Sequence, residues 1–216
     1  MKDQFDHVRT WVFDLDNTLY PPSSRLFDQM DDRMNNWIMQ AVGVSYDQAH
    51  DMRVGYLAQY GTTLTGLMQH HAIDPDAFLL DTHELDLSNL APALHLRAEI
   101  DKLPGRRIVF TNGSRRHADR VTEALGLRGA FDAHYGIEDA QYVSKPTQQA
   151  FDLVFEAEAL TPTTSAMFED MAENLVIPHN LGMKTILVAE DETPEDHAHV
   201  HHVTDDLADF LSRING

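Results

Sequence analysis

With 216 residues, 43% of them apolar and 24% charged, the chain has material for one sizeable core and a smaller subdomain, and extended disorder is excluded. Sixteen basic residues against 35 acidic ones leave a net charge of −19 with neutral histidines. Such a surface repels nucleic acid and anionic membranes, so any anionic substrate must be captured by a local cation. The absence of cysteine removes disulfides, thiolate zinc sites and cysteine nucleophiles. Residues 1–10 carry Asp3, Asp6 and His7 where a signal peptide needs an apolar run, and no apolar stretch approaches the length of a membrane span, so a cytoplasmic location is expected.

In chain order, the first apolar run, residues 8–13, reads as a buried strand. Amphipathic helical stretches follow with no convincing strand between them: 26–42 closed by Gly43, 46–60 behind the N-cap candidate Ser45, then 63–71, 76–83 and 92–102. Strand-like runs return at 107–110, 165–168 and 184–188, separated by helical patterns at 116–125, 147–159 and 172–180. Strand alternating with helix predicts an α/β fold: a Rossmann-like parallel sheet core with an all-helical insertion after the first strand. The expected division is 1–22 and 103–216 for the core and 23–102 for the insertion.

The first strand ends in Asp14-Leu15-Asp16-Asn17-Thr18, two carboxylates one residue apart where open parallel sheets place their sites. Such a pair repels itself unless a cation intervenes, and a hard divalent ion such as Mg²⁺ with oxygen ligands suits it. One carboxylate can then attack phosphorus while the other handles protons. A second strand ends in Thr111-Asn112-Gly113, donors for phosphate oxygens; Lys145 sits on a Ser-Lys-Pro turn, able to neutralise a transferred phosphoryl group; a third strand ends in Glu169-Asp170, with Asn174 in the helix beyond. Taken singly, a lysine is usually solvated and acids after a strand usually cap the next helix. In this order and at these strand ends they form a set.

That set resembles the haloacid dehalogenase (HAD) superfamily. More narrowly, Phe13 to Pro21, the insertion stretch Tyr60-Gly61-Thr62-Thr63-Leu64 and Phe168-Glu169-Asp170 with Asn174 resemble its pyrimidine 5′-nucleotidase branch. The resemblance implies a magnesium-dependent phosphatase acting on a small phosphorylated metabolite through an aspartyl-phosphate. Asp14 would be the nucleophile and Asp16 the acid and base, with Asp14, the Asp16 backbone carbonyl and Asp170 on Mg²⁺ and Glu169 in support. Thr111 and Lys145 would hold the phosphoryl oxygens, helped by Asn112, Gly113 and Asn174. The insertion would be a cap in which Tyr60, Thr62 and Thr63 offer an aromatic face and hydroxyls to a base. Many relatives carry two aspartates where this chain has Glu169-Asp170, so the roles within that pair stay open.

Rival readings are a sugar-phosphate phosphatase or phosphomutase with the same core residues, a dehalogenase needing no Mg²⁺, and a non-catalytic binding protein. Asp16 and Glu169-Asp170 favour phosphate over halide. Monomer and small homo-oligomer are both compatible with the sequence. The tract from His197 to His202 is expected to be a solvated loop leading into a short strand, His70, His71 and His83 surface residues, and Trp37 with the methionines of 26–42 packing between helices.

Overall fold

A computed structural model describes residues 1–216. Six strands form one parallel sheet: β1 (Thr10–Phe13), β2 (Arg106–Phe110), β3 (Ala133–Tyr135), β4 (Ser165–Glu169), β5 (Lys184–Val188) and β6 (His202–Thr204), in the order β3-β2-β1-β4-β5-β6. β1 is central, with Phe13 in register with Val109 of β2 and Phe168 of β4. From β1 the chain adds β2 and β3 on one side and then crosses back to add β4, β5 and β6 on the other, and the crevice beyond the carboxyl ends of the strands at this reversal is where such a sheet binds ligands.

Alternation along β1 sends Trp11 and Phe13 to one face and Val12 to the other, and both faces are buried. The Trp11 face, where Phe13 stacks on Phe168 at 4.7 Å, is covered by α5 (Leu94–Ile100), α6 (Arg115–Ala124) and the C-terminal α9 (Leu207–Asn215). The Val12 face is covered by α7 (Gln148–Ala157), through Phe151 and Val154. Thr10 starts β1 two residues later than expected, because Val8 is buried in the turn before it. β3 and β6 have three residues each, too few for a periodicity to register. The helix expected at 172–180 is divided into a 3₁₀ turn, Ala172–Leu175, and α8, Val176–Asn180.

The insertion contributes α1 (Leu26–Val42), α2 (Tyr46–Tyr60), α3 (Thr63–His71) and α4 (Pro75–Thr82). Ser45 accepts from the backbone N–H of Gln48 and Gln48 returns the bond, a capping box that fixes where α2 begins. Gly43 and Gly61 close α1 and α2 with φ of 77° and 79°, a conformation that costs other residues strain. These four helices enclose their own apolar cluster around Ile38, Leu67 and Phe78, with Trp37 edge-on to Phe78 at 5.1 Å. Leu96 and Ile100 of α5 pack into the sheet's cluster instead, which Leu26 and Met30 in the first turns of α1 also join. No helix is long and apolar enough to cross a membrane.

Candidate active site

Asp14 leaves the end of β1 with its N–H bonded to the Phe168 carbonyl, which fixes the strand end against β4. One carboxylate oxygen takes Lys145 Nζ at 2.7 Å and the other takes the Thr18 hydroxyl at 3.1 Å. Asn17 adopts φ of 60°, which its short amide tolerates, and donates to Asp170 at 3.2 Å. The tight turn after β1 therefore supplies both the first carboxylate and a tie to the third acidic residue.

Lys145 is 1% exposed, not the solvated group a lone lysine usually is, and its ammonium is saturated by Asp14, Glu169 at 2.7 Å and the Phe110 carbonyl at 3.0 Å. Burial opposes the charge, but the two carboxylates hold its pKa above the usual lysine range. Glu169 is fully buried and also accepts from Asn174 at 2.6 Å and the Met171 N–H at 2.9 Å. Ligand oxygens of Asp14, Glu169 and Asp170 lie within 4.8 Å of one another. Burial, then repulsion from Glu169, pushes the Asp14 carboxyl up to about 7; burial, then Asp14 and Glu169, pushes Asp170 up to about 9. Three carboxylates around one ammonium leave an excess of negative charge that a hard divalent cation would balance, and an all-oxygen donor set suits Mg²⁺.

β2 delivers Thr111, whose buried hydroxyl accepts from the Gly113 N–H at 2.9 Å and keeps its own hydrogen to donate. Asn112 behaves differently from a free phosphate donor: its amide gives to the Lys145 carbonyl at 3.1 Å and accepts from the Lys145 N–H at 2.8 Å, so both ends hold the lysine's peptide. Asn174 likewise spends its nitrogen on Glu169.

Asp16 points into the same cavity, with His117 Nε2 at 2.8 Å and the Tyr20 hydroxyl at 2.5 Å. Burial would raise its pKa, but the His117 contact outweighs that and lowers it. His83, expected on the surface, is buried at the end of α4; its Nδ1 meets Ser114 Oγ at 3.0 Å and its ring stacks on His117 at 4.7 Å. Burial holds its pKa down at about 3, so it is neutral. Sequence reasoning gave His117 and Tyr20 no role. The available signal was spacing: Tyr20 is four residues beyond Asp16 in the turn after β1, and His117 is three residues after the N-cap Ser114, on the face of α6 that Val121 buries.

A cavity of about 200 Å³ joins these groups to the inner face of the insertion. Its roof is largely apolar, with Phe27, Met30, Met34, Leu57, Phe78 and Leu79, so two of the three α1 methionines line the cavity. Arg53 is the roof's cation, fixed to Asn35 at 3.0 Å and Asp31 at 2.7 Å. Tyr60 does not reach the cavity; its hydroxyl pairs with His70 at 2.6 Å on the outside. Thr62 and Thr63 do border it, but Thr62 caps α3 and Thr63 donates to the Arg53 carbonyl. In the histidine tract, His199 meets the Ala172 carbonyl at 2.7 Å and His201 meets Thr185.

A family model described as haloacid dehalogenase-like hydrolase matches residues 8–176. Phosphate metabolism protein 8 of Saccharomyces cerevisiae is 26% identical over 197 residues, 83% of this chain; the chain spans 61% of that relative's length. Among solved structures, a HAD phosphatase from Thermococcus onnurineus superposes with a TM-score of 0.65 at 13% identity, covering 97% of this chain and 99% of that one. L-2-haloacid dehalogenase from Xanthobacter autotrophicus, with chloropropionic acid covalently bound, gives 0.60 at 16% identity over the same shares. At these identities the likeness is one of fold, and it spans two chemistries.

Proposed function

Because the chain belongs to the haloacid dehalogenase-like hydrolases, we propose that it hydrolyses a small phosphomonoester in a magnesium-dependent reaction, with Asp14 as nucleophile. The observation that carries this over dehalogenation is the trio Asp14, Glu169 and Asp170, whose mutual repulsion calls for a divalent cation, together with a second carboxylate, Asp16, in the same cavity. Asp14, Asp170 and the Asp16 carbonyl would hold Mg²⁺; Glu169, already committed to Lys145, Asn174 and the Met171 N–H, supports from behind. When bound, the ion supplies neutralisation of the phosphate's charge.

The chain's own groups account for the rest. Lys145 and Thr18 fix the two oxygens of Asp14, so the nucleophile is oriented before the ester arrives. Asp14 attacks phosphorus, the ester oxygen departs as it takes a proton from Asp16, and the phosphoryl group is left on Asp14. Asp16 then takes a proton from water, whose attack on phosphorus releases phosphate and restores Asp14. Lys145 would lend its positive charge to the phosphoryl group while its hydrogens stay on Asp14, Glu169 and the Phe110 carbonyl, and the Thr111 hydroxyl would donate to a phosphoryl oxygen. Helices α1–α4 act as the cap that shuts out bulk water.

For the leaving group we propose a nucleoside 5′-monophosphate, with a pyrimidine favoured by the family resemblance. The apolar roof with one fixed guanidinium suits a flat base bearing carbonyl oxygens better than a polyhydroxylated sugar. Phosphate release from UMP, CMP, purine mononucleotides and sugar phosphates, with Mg²⁺ and with chelator, tests both levels. Activity that survives chelation defeats the magnesium phosphatase; equal or better turnover of sugar phosphates defeats only the nucleotide.

A further inference from the structure

Two donors converge on a single oxygen of Asp16. Tyr20 O–H lies 2.5 Å from Oδ1 and His117 Nε2 lies 2.8 Å from the same atom. Both are buried, at 3% and 1% exposure, so neither competes with water for the bond. No protein donor reaches Oδ2. That oxygen faces Gly113, where an added methyl group would sit 3.6 Å from Oδ2, 3.3 Å from Thr111 Oγ1 and 3.2 Å from the His117 ring, so a side chain there would crowd the cleft between them.

His117 is itself held in place. Its backbone N–H donates to the N-cap Ser114 at 3.1 Å, and its ring is backed by His83, which is bonded to the same serine. The Tyr20 hydroxyl has Oδ1 of Asp16 as its one protein acceptor, so its hydrogen is committed to that oxygen.

We infer that His117 and Tyr20 are positioning residues that clamp Oδ1 of Asp16 and thereby assign Oδ2 as the atom that exchanges protons with the leaving oxygen and with water. The inference rests on the phosphatase reading given above. Without the clamp the carboxylate rotates freely about its terminal torsion, and Oδ2 is lost from the cleft for part of the time. Neither residue touches the reacting atoms. The step itself is unchanged: a proton passes from Asp16 Oδ2 to the departing ester oxygen, and one returns to Oδ2 from the attacking water.

The test is 4-nitrophenyl phosphate, whose leaving group departs without protonation, compared with an alkyl phosphate, UMP or glycerol phosphate, whichever the wild type hydrolyses. In Tyr20→Phe and His117→Ala, kcat/KM for the nitrophenyl ester, which reports attack by Asp14 alone, stays near the wild-type value. Its kcat falls about a hundredfold, the lower range for a positioned acid or base, and KM falls with it. A burst of one nitrophenolate per protein appears as the phosphorylated form accumulates. For the alkyl ester kcat/KM itself falls. His117→Gln, whose amide nitrogen can reach Oδ1, restores most of the loss. Equal loss of kcat/KM on both esters, or unchanged kcat in both variants, overturns the clamp. A wild type that releases phosphate from no ester overturns the phosphatase reading and the clamp with it, and is told apart because it needs no variant.

Discussion

On the floor of the cavity the charged groups are tightly held, Lys145 by three buried acceptors and Glu169 by the buried Lys145 and Asn174 and by the Met171 N–H. Across the cavity, Phe27 and Leu57 of the roof are 42% and 47% exposed and make contact through apolar surface alone. The floor is built for one geometry, since a misplaced charge there is left unpaired in a low dielectric. The roof loses little by shifting, and a surface of that kind can accept more than one leaving group. Chemistry should therefore be sensitive to single atoms on one side, and selectivity to volume on the other.

Asp14→Asn breaks the floor most severely. Phosphate release should fall by three decades or more, about 4 kcal/mol of transition-state stabilisation. Retained turnover would remove Asp14 from the nucleophile's role. Next comes Lys145→Ala, expected to cost roughly 2 to 4 kcal/mol in kcat/KM, the range for loss of one preorganised donor. It should also lower the melting temperature of the metal-free protein, because Asp14 and Glu169 are left facing each other with no cation. A variant with unaltered kinetics would show that the lysine is only structural.

The charge imbalance of the floor can be measured without any substrate. Mg²⁺ alone, at one hundred times its dissociation constant, should stabilise the fold by about 2.7 kcal/mol in thermal unfolding. Asp170→Asn should weaken that response; the same shift in both proteins would place the ion elsewhere. The smallest effect belongs to the roof. Leu57→Ala should change the relative kcat/KM of bulky and small esters about tenfold, roughly 1.4 kcal/mol, as for a change of a few methylenes in an apolar wall. Its thermal stability should hardly move, since the side chain is half exposed. Identical ratios in wild type and variant would mean that the leaving group does not meet α2.

The residues that reach the floor were legible from the chain because each closes an apolar run: Asp14 after Phe13, Thr111 after Phe110, Glu169 after Phe168. A buried parallel strand must end in polar residues near the crevice, so the run and its last residue are read together. The helices α1 and α2 were equally readable, because Gly43 closes the first and Ser45 and Gly61 bound the second. What failed were assignments that needed a side chain's direction. Tyr60 and His83 each stand at or next to a helix end, yet one turns outward to His70 and the other inward to Ser114. Asn112, adjacent to Thr111, borders the cavity but spends both ends of its amide on the Lys145 peptide.

By itself, then, the order of residues determined the alternation of strand and helix, the helical insertion after β1, and which polar groups stand at the strand ends, since hydrophobic period and capping chemistry act over a few residues. Only the tertiary structure decided that Lys145 is enclosed by two acids from strands far apart in the chain, that α5 belongs to the sheet, and that His117 and Tyr20 meet on one oxygen of Asp16. Those outcomes depend on packing between segments up to 131 positions apart, where burial fixes both the direction of a side chain and the strength of its charge.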